Sequence, residues 1–117
     1  MQLIDKRVSA CFLALVSMAC GGAAVPNHQL TTAESAVRAA EVGGADELPK
    51  GELHLKYAKD AIAEARTLMD GGDNKQATLL LDKATVDAEQ ALALAEEDEA
   101  RLAAEEQLER IAELMAK

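Results

Sequence analysis

Few residues in this chain have the type and spacing to do chemistry. Among 117 residues there are two cysteines, Cys11 and Cys20, and two histidines, His28 and His54. A histidine serves as acid, base or metal ligand only when a second polar group lies within reach. Glu52 and His54 are two positions apart, which turns them to different sides of a helix. His28 falls in a segment without hydrophobic period, and His54 on an early helical turn is expected to face solvent. The acid run Glu96-Glu97-Asp98-Glu99 could attract divalent cations, but successive carboxylates on a helix fan around its axis. A solvated charge run is the expectation there. Gly71-Gly72 reads as a turn, because a phosphate cradle needs a strand before it and a helix after. No nucleophile motif is present. The expectation is therefore no catalytic residue, no cofactor, no metal and no enzyme.

Cys20 is the residue whose surroundings point to covalent modification. Met1 to Arg7 ends in the basic pair Lys6-Arg7, and Val8 to Met18 is an uncharged, mostly apolar run of eleven residues. That run is too short for a bilayer core, which needs about 20 residues. With the small Ala19 before Cys20, residues 1–19 have the three parts of an export signal peptide. Two processing routes fit. A lipoprotein signal is cut before a cysteine whose thiol becomes diacylated; Ala19-Cys20 suits it, although Ser17 stands where a branched aliphatic residue is usual. Ser17-Met18-Ala19 also meets the small-x-small rule of ordinary signal peptidase. Lipidation at Cys20 is favoured because Cys20-Gly21-Gly22 opens a flexible tether. Several acyl chains there would anchor the chain stably in a membrane.

Cys11, in Val8-Ser9-Ala10-Cys11, follows no useful apolar stretch and reads as part of the apolar run. After cleavage Cys20 is the only cysteine, so no intramolecular disulfide can form. An unacylated Cys20 would be a free or intermolecularly paired thiol. Gly21 is not the aspartate that keeps lipoproteins at the inner membrane of enteric bacteria. The expected address is the cell envelope, at the periplasmic face of the outer membrane.

Composition narrows the partners. The formal net charge is −9, and residues 1–19 are net basic, so the remainder is more acidic still. Such a field repels nucleic acid, whose phosphates must be neutralised by lysine and arginine. It also disfavours anionic membrane surfaces and keeps an alanine-rich helical protein soluble. Phe12 and Tyr57 are the only aromatic residues. A core built mainly of alanine buries little area per residue, which argues against a roomy ligand pocket.

The hydrophobic period then sets out the elements. Residues 20–28 read as a lipid-anchored flexible linker, with Gly21, Gly22 and Pro26. Thr31-Thr32 is a helix-start signal, and Leu30, Ala33, Val37 and Ala40 recur at helical steps. A first helix is expected from about Thr32 to Val42, ended by Gly43-Gly44. Pro49 can open a second, running from about Lys50 to Met69 with Leu55, Ala58, Ile62, Ala65 and Met69 on one stripe and Leu68 beside it. Asp70-Gly71-Gly72-Asp73 breaks it and caps the next helix, which makes an antiparallel hairpin. Asn74 to Lys117 contains neither glycine nor proline and reads as one long helix. Its stripe Ala77, Leu81, Ala84, Ala88, Ala91, Ala95 is expected to pack against helix two.

Helix two is too short to cover the long helix beyond about residue 95. Residues 96–117 form a charged extension that projects, frays or self-associates. Pairs among Glu105, Glu106, Glu109, Glu113, Arg101, Arg110 and Lys117 contribute only a few tenths of a kcal/mol each. The fold expected is all-α: a short first helix and an antiparallel helical hairpin with a long, partly projecting C-terminal helix. Its three-helix domain occupies residues 29–95.

Three stretches carry a likeness to a known family: Ala33 to Pro49 (AESAVRAAEVGGADELP), Glu52 to Gly72 (ELHLKYAKDAIAEARTLMDGG) and Asp73 to Ala95 (DNKQATLLLDKATVDAEQALALA). In order and spacing they resemble the bacterial domain of unknown function 4398. Asn74 departs from the pattern, since a bulky residue often follows the glycine-aspartate pair. The resemblance implies a helical hairpin, often behind a lipoprotein signal. In relatives it sometimes lies upstream of a domain similar to that of outer membrane protein A, which is not expected here. It brings no catalytic residues.

Two roles follow as expectations. In the first the chain is a lipid-anchored periplasmic interaction module. Its unpaired apolar residues Leu102, Leu108, Ile111 and Met115 would bind another envelope protein or a copy of itself. In the second it is a structural tether between outer membrane and peptidoglycan, with Lys117 as the attachment point. A lysine also suits the negative end of a helix.

Overall fold

The computed structural model describes residues 22–117; Cys11, Cys20 and the signal segment lie outside them. Among the described residues three helices follow one another: α1 (Asn27–Val42), α2 (Pro49–Asp70) and α3 (Asn74–Met115), with a 3-10 turn (Ala45–Glu47) between the first two. Among the described residues there is no strand. The all-α class and the hairpin of α2 and α3 are as the hydrophobic period and the Gly71-Gly72 break require.

Helix α1 begins five residues earlier than Thr32. Pro26 is its N-cap, buried, with φ −81°, and its carbonyl accepts from the Leu30 N–H at 3.0 Å. With the helix already open at Pro26, Thr31 and Thr32 lie inside its first turns and do not cap it. Their hydroxyls donate back to the carbonyls of Asn27 and His28, each at 3.0 Å, the bond a threonine makes inside a helix. The linker is correspondingly shorter than residues 20–28, and His28 is helical.

The breaks occur where glycine allows them. Gly44 takes φ +79° after α1, and Gly72 takes φ +81° after α2, a left-handed conformation that costs glycine little. At the second break Asp73 N–H reaches the Leu68 carbonyl at 2.8 Å and Gly72 N–H the Met69 carbonyl at 3.1 Å. This is the Schellman closure of a helix end. Asp73 then accepts from the Gln76 N–H at 3.3 Å, capping α3. Pro49 is the first residue of α2, where its missing N–H costs nothing.

The core is a seam of small side chains. Ala33, Val37 and Ala40 come from α1, Leu55, Ala58, Ala61, Ile62 and Ala65 from α2, and Ala77, Leu81, Ala84, Ala88, Ala91 and Ala95 from α3. Of the fifteen apolar residues buried among the described ones, eleven are alanine, each contributing a single methyl group to the seam. Leu68 and Met69 are only partly buried against this seam. The α3 stripe faces α1 as well as α2, so α1 joins the hairpin in one three-helix body. Ala45, in the 3-10 turn, is fully buried, which its place in a short polar connection had not suggested. Ion pairs brace α2 to α1, Lys59 with Glu41 and Arg66 with Glu34.

Candidate interaction surface

Helix α3 continues for five further turns after Ala95, its last buried residue. The segment is rich in alanine, leucine, glutamate and arginine, all strong helix formers. Arg101 bonds Asp98 at 2.6 Å and Glu105 at 2.9 Å, and Arg110 bonds Glu106 at 2.9 Å. The hydrogen bond to Asp98, then that to Glu105, raises the Arg101 pKa above its ordinary value. These pairs hold a helix that lacks tertiary support. Every residue from Glu99 to Lys117 is exposed.

The body ends in a shoulder where the start of α2 meets α3. On one side an open cleft of about 440 Å³ is lined by Leu48, Pro49, Lys50, Leu94, Glu97, Asp98 and Arg101. On the other, Gly43, Leu48, Ala95, Asp98 and Leu102 surround a smaller hollow.

Beyond the shoulder the helix has two unlike sides. At about 100° per residue, Ala104, Leu108, Ile111 and Met115 fall on one side, with Leu114 at its edge. Leu108, Ile111, Leu114 and Met115 are 66%, 53%, 67% and 83% exposed. This side points away from the body: the direction that carries Ala77 to Ala95 is taken over by Glu106, Glu109 and Glu113. Leu102 does not share the apolar side. It lies roughly 150° around the helix from the other three, in line with the buried alanine stripe, and borders the hollow beside Gly43. Of the four residues expected to form one surface, the fold therefore groups Leu108, Ile111 and Met115 and separates Leu102.

The outward side of α3 carries apolar residues nearer the body too, Leu79 and Val86, 64% and 63% exposed. Their spacing of seven on the same side is legible in the sequence, though less regular than the alanine stripe. Asp82, Lys83, Gln90 and Glu97 interrupt that row, so the uninterrupted apolar face begins only at Ala104.

The other chemistry-bearing residues are scattered. His54 is not solvent-facing: its side chain is one third exposed, and Nδ1 lies 3.6 Å from Asp87 Oδ1, buried and without a hydrogen-bond partner. The hairpin brings it there, since residues 54 and 87 are nearly equidistant from the turn. Its ring meets Tyr57 edge-on at 6.3 Å, and Lys83 sits 5.7 Å above the Tyr57 ring while pairing with Asp87. These contacts clasp α2 to α3. Asp98 is tied to Arg101, and Glu96, Glu97 and Glu99 point to solvent. Among the described residues no three His, Cys, Asp or Glu side chains converge as metal ligands would. No described helix is long and apolar enough to cross a membrane. Cys20 lies outside the described residues.

A family model, the domain of unknown function DUF4398, matches residues 28–107, more than half of the chain. The match takes in all but the first residue of the three-helix body and includes Leu102, and it stops just before Leu108. No curated protein and no solved structure matches the chain.

Proposed function

This chain belongs to the family of the domain of unknown function DUF4398, and we propose that it is a non-catalytic interaction module of the cell envelope. In this reading Cys20 carries the lipid that holds it at the periplasmic face of the outer membrane. The three-helix body is a stand, and the α3 extension presents the face that meets a partner.

The observation that carries the reading is the exposure of Leu108, Ile111, Leu114 and Met115 on one projecting segment. Scattered single leucines on a surface need no explanation, but a contiguous set on an element with no other packing marks a contact. The alanine-dominated core supports the non-catalytic half, since pockets that bind small molecules are lined by larger apolar groups. The family match supplies no activity to set against it.

The test uses the full chain expressed in a Gram-negative host. Intact mass and fractionation, beside Cys20→Ala, are expected to give an acylated protein starting at Cys20 in the outer membrane, with the variant unprocessed or released. Crosslinking in intact cells is expected to give adducts that disappear in Leu108→Ser/Ile111→Ser. A bare, soluble chain would remove the anchor; adducts indifferent to the double substitution would remove the surface.

A further inference from the structure

We propose that the partner of this face is the same face of a second copy, with the two extensions running antiparallel. Leu108 then packs against Ile111 of the second copy, and Ala104 against Met115 of the second copy. The proposal rests on the interaction-surface reading above and names its occupant.

Charge selects an uncharged partner. In a chain of net charge −9, the face bounded by Ala104 and Met115 holds no ionisable side chain. Gln107 and Leu114 flank one edge and Ala112 the other. The nearest charges, Arg101 and Glu105, are already paired within their own chain. Glu106, Glu109 and Glu113 occupy the opposite side, so joining two apolar faces leaves those acids apart and in water. A basic or acidic partner finds nothing on this face to pair with.

Size and charge together select the direction. In a parallel pair Ala104 would oppose Ala104 and leave a void, while Met115 crowded against Met115. The same row continued toward the body would set Arg101 against Arg101 and Glu97 against Glu97, and like charges across an interface oppose pairing. In the antiparallel pair, centred between Glu109 and Arg110, the smallest residue of the row meets the longest and the two middle residues meet each other. Small against large is how close-packed layers fill space. Arg101 and Glu97 then lie beyond the overlap.

The body leaves room for this. Because the apolar side points away from α1 and α2, a second helix can lie along the extension without meeting its own chain's body. The two bodies end at opposite tips of a rod, with their Asn74 residues about 105 Å apart at 1.5 Å rise per residue. Four exposed apolar side chains per copy make a smaller contact than the roughly 20–30 residues a side of a stable complex, which buries about 1,200–2,000 Å². The dimer is therefore weak and concentration-dependent.

Residues 22–117 are the described residues, hold the whole of the three-helix core they bury and contain no cysteine, and they serve for the test. Sedimentation over a concentration series is expected to show a monomer–dimer equilibrium. Leu108→Ser/Ile111→Ser should weaken it more than about tenfold while the circular dichroism stays helical. On oxidation, an equimolar mixture of Ala104→Cys and Met115→Cys chains should crosslink, and Ala104→Cys alone should not. Crosslinking of Ala104→Cys with itself overturns the antiparallel register. A monomer at every concentration overturns self-association. If the double substitution still abolishes adducts in cells, the surface then stands with another occupant. A dimer indifferent to the double substitution overturns pairing through this face, and in-cell adducts equally indifferent to it overturn the surface reading as well.

Discussion

Asn74 donates from Nδ2 to the carbonyl of Ala23 at 2.9 Å, joining the segment before α1 to the first turn of α3 across 51 positions of chain. This bond, with the burial of Pro26, fixes where the chain enters the body: beside the start of α3, at the end opposite the projecting extension. Asn74 is thus the residue that ties down the tail. Its Oδ1, however, is buried without a partner, which offsets part of the gain.

Asn74→Ala should therefore change global stability by no more than about 1 kcal/mol, the net worth of one such bond. Limited proteolysis should nevertheless cut faster at Gly22–Val25. Unchanged cutting there would mean that Pro26 alone holds the tail.

Gly51 stands on α2 directly under the 3-10 turn. A Cβ at this position would press into the carbonyl and Cα of Ala45, backbone atoms of a buried residue that can move only with the turn. Gly51→Ala is expected to destabilise by about 1–3 kcal/mol through overpacking, read in urea unfolding. Gly43→Ala, which meets chiefly the flexible end of Leu92, should cost less. The reverse order would show the turn to be the softer neighbour.

Leu81 is the only large side chain fully buried among the described residues. In a core where most members contribute a single methyl group, Leu81→Ala should cost about 2–5 kcal/mol, the range for a leucine cavity. Leu79→Ala, two residues away but 64% exposed, should stay within about 0.5 kcal/mol. Chemical denaturation of both variants makes the comparison, and similar losses would mean that Leu79 is covered in solution.

Every buried residue of α3 lies at or before Ala95, and the shoulder closes at Leu102. A chain ending at Ala103 should consequently unfold with the same midpoint as the longer one, within about 0.5 kcal/mol, while losing helical signal in proportion to the missing turns. A clear drop in midpoint would show that the extension folds back on the body or supports it through a partner.

The sequence alone determined the elements and the seam. Glycine and proline punctuate the chain for local reasons: Gly72 takes the left-handed turn, Asp73 caps α3, and Pro49 opens α2. The period of Ala77, Leu81, Ala84, Ala88, Ala91 and Ala95 named the buried face of α3 residue by residue, because an amphipathic helix must turn its apolar side inward. Tertiary structure decided what local pattern does not encode. Pro26, buried beside the core, opened α1 where a threonine signal pointed five residues later. Docking of α1 on the same seam as α2 buried Ala45 and made Gly51 obligatory. The hairpin's pairing of distant positions set His54, two thirds covered, beside Asp87. Leu102 was read together with Leu108, Ile111 and Met115 because all four are apolar and near in sequence. Their separation follows from the phase of one rigid helix relative to its neighbours: a stripe is set by the residues' own spacing, but which side faces the body is set by where the other helices lie.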